Sequence, residues 1–246
     1  MLADLPLGTG GADRRVVMQA PKNGFFYVLD AADGELISAT PFTNQNWTTG
    51  EFDENGRPVL VEEAVDLALY AVIPGPTGAH NWHPMAFNPD TGLVYIPVNE
   101  IPFFYDKTRN VDDSKSFWNL GYDAAAGWPV EYPAGTLDAI ADVDGGSLLA
   151  WDPVKAEPRW AVPFALPLNG GVLSTDAGLV FQGNKFGDLV AYDAETGERL
   201  WSEQLVGNAA AAPMTYEIDG EQFLSVLSGW GSLSNLVAGF TYGQAA

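Results

Sequence analysis

Three short stretches of this 246-residue sequence hold side chains whose types and spacing suit chemistry. In "QAPKNGFFYVLD", Lys22 stands between Pro21 and Asn23, ahead of an apolar run from Gly24 to Leu29 that reads as a buried strand. A cation against so apolar a neighbourhood must either reach water, its stem lying over the strand, or meet an acceptor. In "GAHNWHPM", Asn81 offers an amide donor and acceptor and Trp82 an indole N–H. The plainer alternative there is a turn amide and a core tryptophan. In "LPLNGGVLST", Gly170 and Gly171 allow close backbone approach, with Leu168 and Asn169 directly before them.

Other candidate chemistry falls away on inspection. His80 and His83 have a spacing that metal ligands sometimes use, but they lie on a Gly/Pro-flanked loop and are the only histidines in the chain. A three-histidine site is therefore excluded, and zero cysteines exclude disulfides, thiolate zinc sites and covalent c-type haem within this chain. "GTGGAD" from Gly8 lacks the strand and helix that a dinucleotide fingerprint needs. "NWT" at Asn46 matches a glycosylation acceptor pattern, and no serine has a nucleophile-elbow context.

The elements that must position these groups show themselves as a repeat. "LVAYDAETGERLW" (Leu189 to Trp201) has a counterpart in "LLAWDPVKAEPRW" (Leu148 to Trp160) and a weaker one in "FYVLDAADGELIS" (Phe26 to Ser38). In each, an apolar strand ends in Asp, a polar turn follows, and a second strand begins. Asp152 and Asp193 each precede a tryptophan by eight residues and are 41 apart, a period that suits four-stranded propeller blades. The Asp can accept backbone N–H groups within the turn, and Gly197 or Gly34 can take φ > 0. The tryptophan offers a flat surface to dock on a neighbouring blade. A second phase recurs in "NPDTGLVYIP" (Asn88 to Pro97) and "STDAGLVFQG" (Ser174 to Gly183). The pattern predicts an all-β, propeller-like fold of about four blades, with long insertions over about 40–78 and 101–146 expected to form loops on one face. Four blades leave two raw sheet ends, so the chain reads as a single part of a larger ring.

Composition agrees and sets limits. Plentiful glycine (27), proline (17) and aromatics, with no long helical runs, suit short strands and tight turns. A net charge of −21 argues against nucleic acid and anionic membranes as partners. No stretch is long and apolar enough to span a bilayer, and Met1-Leu2-Ala3-Asp4 does not open a signal peptide.

Taken in order, "QAPKNGFFYVLD", "GAHNWHPMAFNPDTGLVYIP", "GSLLAWDPVKAEPRWAVPF", "NGGVLSTDAGLVFQG", "DLVAYDAETGERLW" and "AAPMTYEIDGEQFLSVLSGWG" resemble the C-terminal half of the pyrroloquinoline quinone (PQQ) dependent alcohol dehydrogenases of the methanol/ethanol type. The resemblance runs from about Asp13 to Gly231 and implies four blades of an eight-bladed propeller. It implies PQQ near the central axis, a calcium or lanthanide ion at its edge, oxidation of a small alcohol, and a cytochrome c acceptor in the periplasm. By this resemblance Lys22 points at the quinone oxygens, where a cation favours the charge that builds as hydride arrives. Asn81 and Trp82 contact the cofactor from the next blade. Leu168 stands where many relatives carry a tryptophan in the alcohol pocket, and Asn169 either lies near the cofactor or caps a turn.

The same resemblance leaves parts unassigned. Its catalytic aspartate would fall before Met1, and its metal ligands, vicinal cysteines and tryptophan floor belong to an N-terminal half that becomes an expected partner. No catalytic residue or metal ligand is therefore assigned within this chain. Three other readings remain: a non-enzymatic propeller like the scaffold lipoproteins of outer-membrane assembly, a sugar- or polymer-oxidising quinoprotein, and a half-propeller that pairs with a second copy despite like charge.

Overall fold

The computed structural model describes residues 1–62, 70–105 and 145–229. Among these the regular structure is almost entirely strand, arranged as three successive four-stranded antiparallel sheets and the beginning of another. The first blade runs β1 (Leu2–Leu5), β2 (Arg14–Gln19), β3 (Phe25–Asp30) and β4 (Leu36–Pro41), paired in that order. Two short pairings involve the long connections: β5 (Thr48–Phe52) with β6 (Pro58–Leu60) inside the first, and β7 (Tyr70–Val72) of the first with β10 (Phe103–Tyr105) of the second. The second blade is β8 (Ala86–Asn88), β9 (Leu93–Asn99), β11 (Gly146–Asp152) and β12 (Glu157–Phe164). The third is β13 (Val172–Ser174), β14 (Leu179–Gly183), β15 (Asp188–Asp193) and β16 (Arg199–Gln204), followed by the hairpin of β17 (Met214–Ile218) and β18 (Glu221–Ser225).

The 40–78 connection thus holds strands where bare loop was expected. Apolar residues within it find a surface: Trp47 and Phe52 meet Phe25 edge-on, with ring centroids 6.0 and 5.1 Å away. "TRNVDDSKSFWNLGYDAAAGWPVEYPAG", expected to form loops, lies outside the described residues.

Period-two alternation places the core between blades. In β9, Val94, Ile96 and Val98 join the cluster shared with Val16, Met18, Phe26 and Val28 of the first blade. Their neighbours Leu93 and Tyr95 join the cluster shared with Val180, Val190 and Tyr192 of the third. In β11, Leu149 and Trp151 turn to the first blade, Leu148 and Ala150 to the third. A strand buried on both faces needs no polar face, and every residue of β9 is buried.

The Asp-ended repeat is a hairpin between the third and fourth strands of each blade. Asp30 Oδ1 accepts from Ala32 N–H, Asp152 Oδ1 from Val154 and Lys155, and Asp193 Oδ1 from Glu195 and Thr196. The Ala32 N–H and the Arg14 guanidinium hold the Asp30 carboxyl below the ordinary carboxylate range, and the Thr196 hydroxyl and N–H do so for Asp193. Each hairpin shifts register at one point, at Val28/Leu29, Ala150/Trp151 and Ala191/Tyr192.

Trp160 docks as expected. Its indole donates to Ala194 O in the next blade at 3.1 Å and its ring lies 5.7 Å from that of Tyr95. A Cβ on Gly197 would sit 2.7 Å from the indole, so the bare glycine there is what lets the tryptophan in. Asn88 adds a second tie, donating from β8 to Ser174 Oγ and Thr175 O at the end of β13.

Candidate functional site

Two kinds of segment share one end of the blades: the turn between second and third strands, and the loop leading into the next blade. They are stitched together repeatedly. Ala79 N donates to Lys22 O (3.0 Å), Leu168 N to Asn99 Oδ1 (2.7 Å) and Ala209 N to Asn184 O (3.4 Å). Sequence-selected residues cluster at these seams.

Lys22 lies in the turn between β2 and β3. Its ammonium is exposed and donates to Pro76 O at 3.0 Å, in the loop that enters the second blade. Gly78 of that loop, at φ +80°, presses on the lysine stem; a Cβ there would lie 2.4 Å from Lys22 Cγ and 2.8 Å from its Cα. Asn81, half-buried, donates to Thr77 O at 2.8 Å, one residue along from the carbonyl that Lys22 uses. Among the described residues the ammonium thus retains two N–H donors, and the amide one N–H and its carbonyl oxygen. Trp82 is 58% exposed and stacked on buried His83, with centroids 5.2 Å apart and planes at 29°. The core-tryptophan alternative therefore fails for Trp82, whose face is open. Lys22, from the β2–β3 turn, thus reaches by its ammonium the loop that carries Asn81 and Trp82.

His80, set aside as a metal ligand, bridges the two segments. Its Nδ1 lies 2.6 Å from Ala20 O, two residues before Lys22, and its Nε2 lies 2.7 Å from His83 O. A neutral ring carries one N–H and can donate to just one of these carbonyls. Burial holds the His80 pKa below its ordinary value, with the two carbonyls pulling the other way. Burial, helped by the neighbouring His80, pushes His83 down to about 4, and its Nε2 has no partner. Among the described residues no group of three His, Asp or Glu side chains is close enough to hold a metal ion.

The third stretch is packed differently. Leu168 is 4% exposed and takes φ +63°, a left-handed conformation that its sequence context did not suggest. Asn169, 6% exposed, donates to Leu166 O and accepts from Lys185 N, which is the turn-capping geometry. Gly170 and Gly171 do permit close approach, to Ala209 O and Pro84 respectively, where a Cβ would stand 2.1 and 2.5 Å away. They close the seam between neighbouring loops.

With this geometry in place, likeness to known proteins can be weighed. A family described as "PQQ: Glucose/ethanol/alcohol dehydrogenase, beta-propeller domain" matches residues 142–224. The quinohemoprotein alcohol dehydrogenase ADH-IIG of Pseudomonas putida is 44% identical over 97% of this chain and 34% of its own length. The 1-butanol dehydrogenase (cytochrome c) of Thauera butanivorans is 40% identical over 95% of this chain and 33% of its own. The crystal structure of the Comamonas testosteroni quinohemoprotein alcohol dehydrogenase superposes with a TM-score of 0.78 at 40% identity, covering 96% of this chain and 35% of that one. A europium-containing methanol dehydrogenase does so with a TM-score of 0.72 at 27% identity, covering 94% and 39%. The chain therefore spans about a third of the length of the relatives it matches. Over nearly its whole length it is similar to part of the PQQ-dependent alcohol dehydrogenases, with residues 142–224 matching their β-propeller domain.

Proposed function

We propose that this chain forms one wall of a PQQ site in an enzyme that oxidises alcohols to aldehydes, with Lys22, Asn81 and Trp82 facing the cofactor. The observation that supports this reading is that the Lys22 ammonium and the Asn81 amide donate to adjacent carbonyls, Pro76 and Thr77, of the loop on which Trp82 keeps its indole exposed. PQQ is a flat tricarboxylate, and a cation, an amide and an uncovered aromatic ring suit it by charge, hydrogen bonding and shape. When bound, it would supply a quinone carbonyl able to accept the hydride of an alcohol.

The residues of this chain have separable tasks. The Lys22 ammonium stabilises negative charge on an oxygen placed before it, and Gly78 keeps the stem where it is. Asn81 orients a polar edge through its remaining N–H and carbonyl. Trp82 excludes water from one face. His80 fixes the spacing between the Lys22 turn and the Asn81 loop. Leu168 shapes the seam behind the alcohol, and Asn169 acts there through the turn it caps. The reading assigns this chain no proton acceptor for the alcohol and no ligand for the calcium or lanthanide ion. Those roles, the rest of the ring, a cytochrome c acceptor and a periplasmic setting all belong to the proposal for the whole enzyme. The matches favour it over a scaffold role, since relatives at 38–44% identity are alcohol dehydrogenases or a cytochrome c-linked lupanine hydroxylase.

Titration of the chain with PQQ, followed by tryptophan fluorescence, tests this. Saturable quenching is expected, with Lys22→Gln and Asn81→Ala each weakening affinity about tenfold, the effect of losing one charge-assisted or well-formed hydrogen bond. Affinity unchanged in both variants would refute the assignment.

A further inference from the structure

The turn that presents Lys22 recurs in the third blade, and it again carries a lysine. Pro21-Lys22-Asn23-Gly24 joins β2 to β3, and Asn184-Lys185-Phe186-Gly187 joins β14 to β15. The two glycines have φ +90° and +89°. Gly24 N bonds back to Pro21 O, and Gly187 N to Asn184 O. Gly24 O then accepts from Phe42 N just past β4, and Gly187 O from Leu205 N just past β16, at 2.9 and 2.7 Å. Backbone and lysine occupy the same positions in both turns. Lys185 consequently stands at the same end of the blades as Lys22.

Its surroundings mark it out. The chain has 11 basic residues against 32 acidic ones, so a cation should find a carboxylate easily. Arg14, Arg15 and Lys155 do, while Lys22, Arg57, Arg159 and Arg199 lie exposed to water instead. Lys185 has neither an ion-pair nor a hydrogen-bond partner for its ammonium among the described residues, although burial alone is enough to depress its pKa. The turn is well held: Asn184 bonds Asp188 and the Phe186 and Asp188 N–H groups, and the buried Asn169 accepts from Lys185 N. Beside the lysine, Phe186 is 66% exposed. A half-desolvated ammonium with an open aromatic neighbour on a rigid turn is suited to an anion that has an apolar body.

We propose that Lys185 is a second anion-binding group on the Lys22 face, and that it takes a carboxylate. The placement rests on the PQQ reading only for the supposition that this face is a ligand-binding face. The carboxylate can come from the cofactor or from an alcohol substrate that is itself an acid, and the chemistry of recognition is the same.

The test uses the full chain labelled with 13C at lysine Cε, titrated with PQQ and separately with 6-hydroxyhexanoate, with 1-hexanol as the uncharged control. The Lys185 resonance is expected to move with at least one carboxylate and not with hexanol. Lys185→Gln should then weaken that ligand about tenfold, as loss of a charge-assisted bond does. Lys155, ion-paired in the β11–β12 turn, serves as the fold control. Movement with PQQ alone assigns the cofactor's carboxylate; movement with hydroxyhexanoate assigns the substrate's. A Lys185 resonance indifferent to both, or a Lys185→Gln variant that binds as before, overturns the proposal. Lys22 reports separately: its silence toward PQQ would sink the cofactor reading while leaving a hydroxyhexanoate response at Lys185 intact.

Discussion

Gly78 carries more of the candidate site than its size suggests. Any side chain there would collide with Lys22 at its Cα, Cβ and Cγ, and the φ of +80° already disfavours it. Gly78→Ala is expected to cost about 2 kcal/mol or more in stability and to lower PQQ affinity as far as Lys22→Gln does, read by urea unfolding and fluorescence titration. His83 offers a test of a different kind. Its folded pKa lies near 4, below the ordinary 6.5, so the unfolded chain takes up the proton first as pH falls. Its contribution is fully present above about pH 6.5 and is lost on the way down to pH 4, in total roughly 3 kcal/mol. His83→Phe keeps the stack on Trp82 and should flatten that part of the pH dependence, seen as a smaller change in urea midpoint between pH 7.5 and 4.5.

The tryptophans of the repeat set up a comparison at the level of the strand pair. Trp160 is half-buried against Tyr95, Ala194 and Gly197, whereas Trp201, its counterpart in the third blade, is 46% exposed. Trp160→Ala is expected to destabilise by about 2–3 kcal/mol and Trp201→Ala by less than about 1, measured by thermal or urea unfolding. The sequence revealed the strand–Asp–turn–strand units because Asp, Gly and Trp each do a local job that leaves a fixed spacing. It singled out Lys22 and Asn81 through the family likeness of their motifs. It did not reveal that Gly78 cradles Lys22 or that His80 ties Ala20 to His83, since those contacts join segments some 60 positions apart. Nor did it show the open face of Trp82, because an aromatic beside Pro and His reads equally well as core. Lys185 was overlooked although "KNGF" and "KFGD" share lysine and glycine at one offset. A single chemical motif drew attention to the first turn, and only backbone angles show that the second is its equal.

For the molecule as a whole, charge and apolar surface pull against each other. Leu2 on the first sheet, and Met214, Tyr216 and Ile218 on β17, are between 43% and 61% exposed. Such surface favours association, which a net charge of −21 opposes. Raising NaCl from 50 to 500 mM shortens the screening length and is expected to shift the chain toward larger species in size-exclusion chromatography. The isolated chain, supplied with PQQ and calcium, is expected to show no alcohol oxidation with an artificial acceptor, because it spans about a third of its relatives. Turnover above background would show that the wall alone suffices.

The wedge formed by Trp160 has a sense of direction. The ring is handed forward to a turn in the following blade, and that turn keeps Gly197 bare to make room for it. Where the first blade offers only Ser38, the second can carry Ala156 in place of that glycine. Among the described residues, Gly34 in the first blade has no atom within 4 Å of the Cβ it lacks, and Trp201 in the third is 46% exposed. A body that engaged both ends by this same wedge would present a ring to Gly34 and a turn to Trp201, a head-to-tail joint that a two-fold along the propeller axis satisfies at both ends.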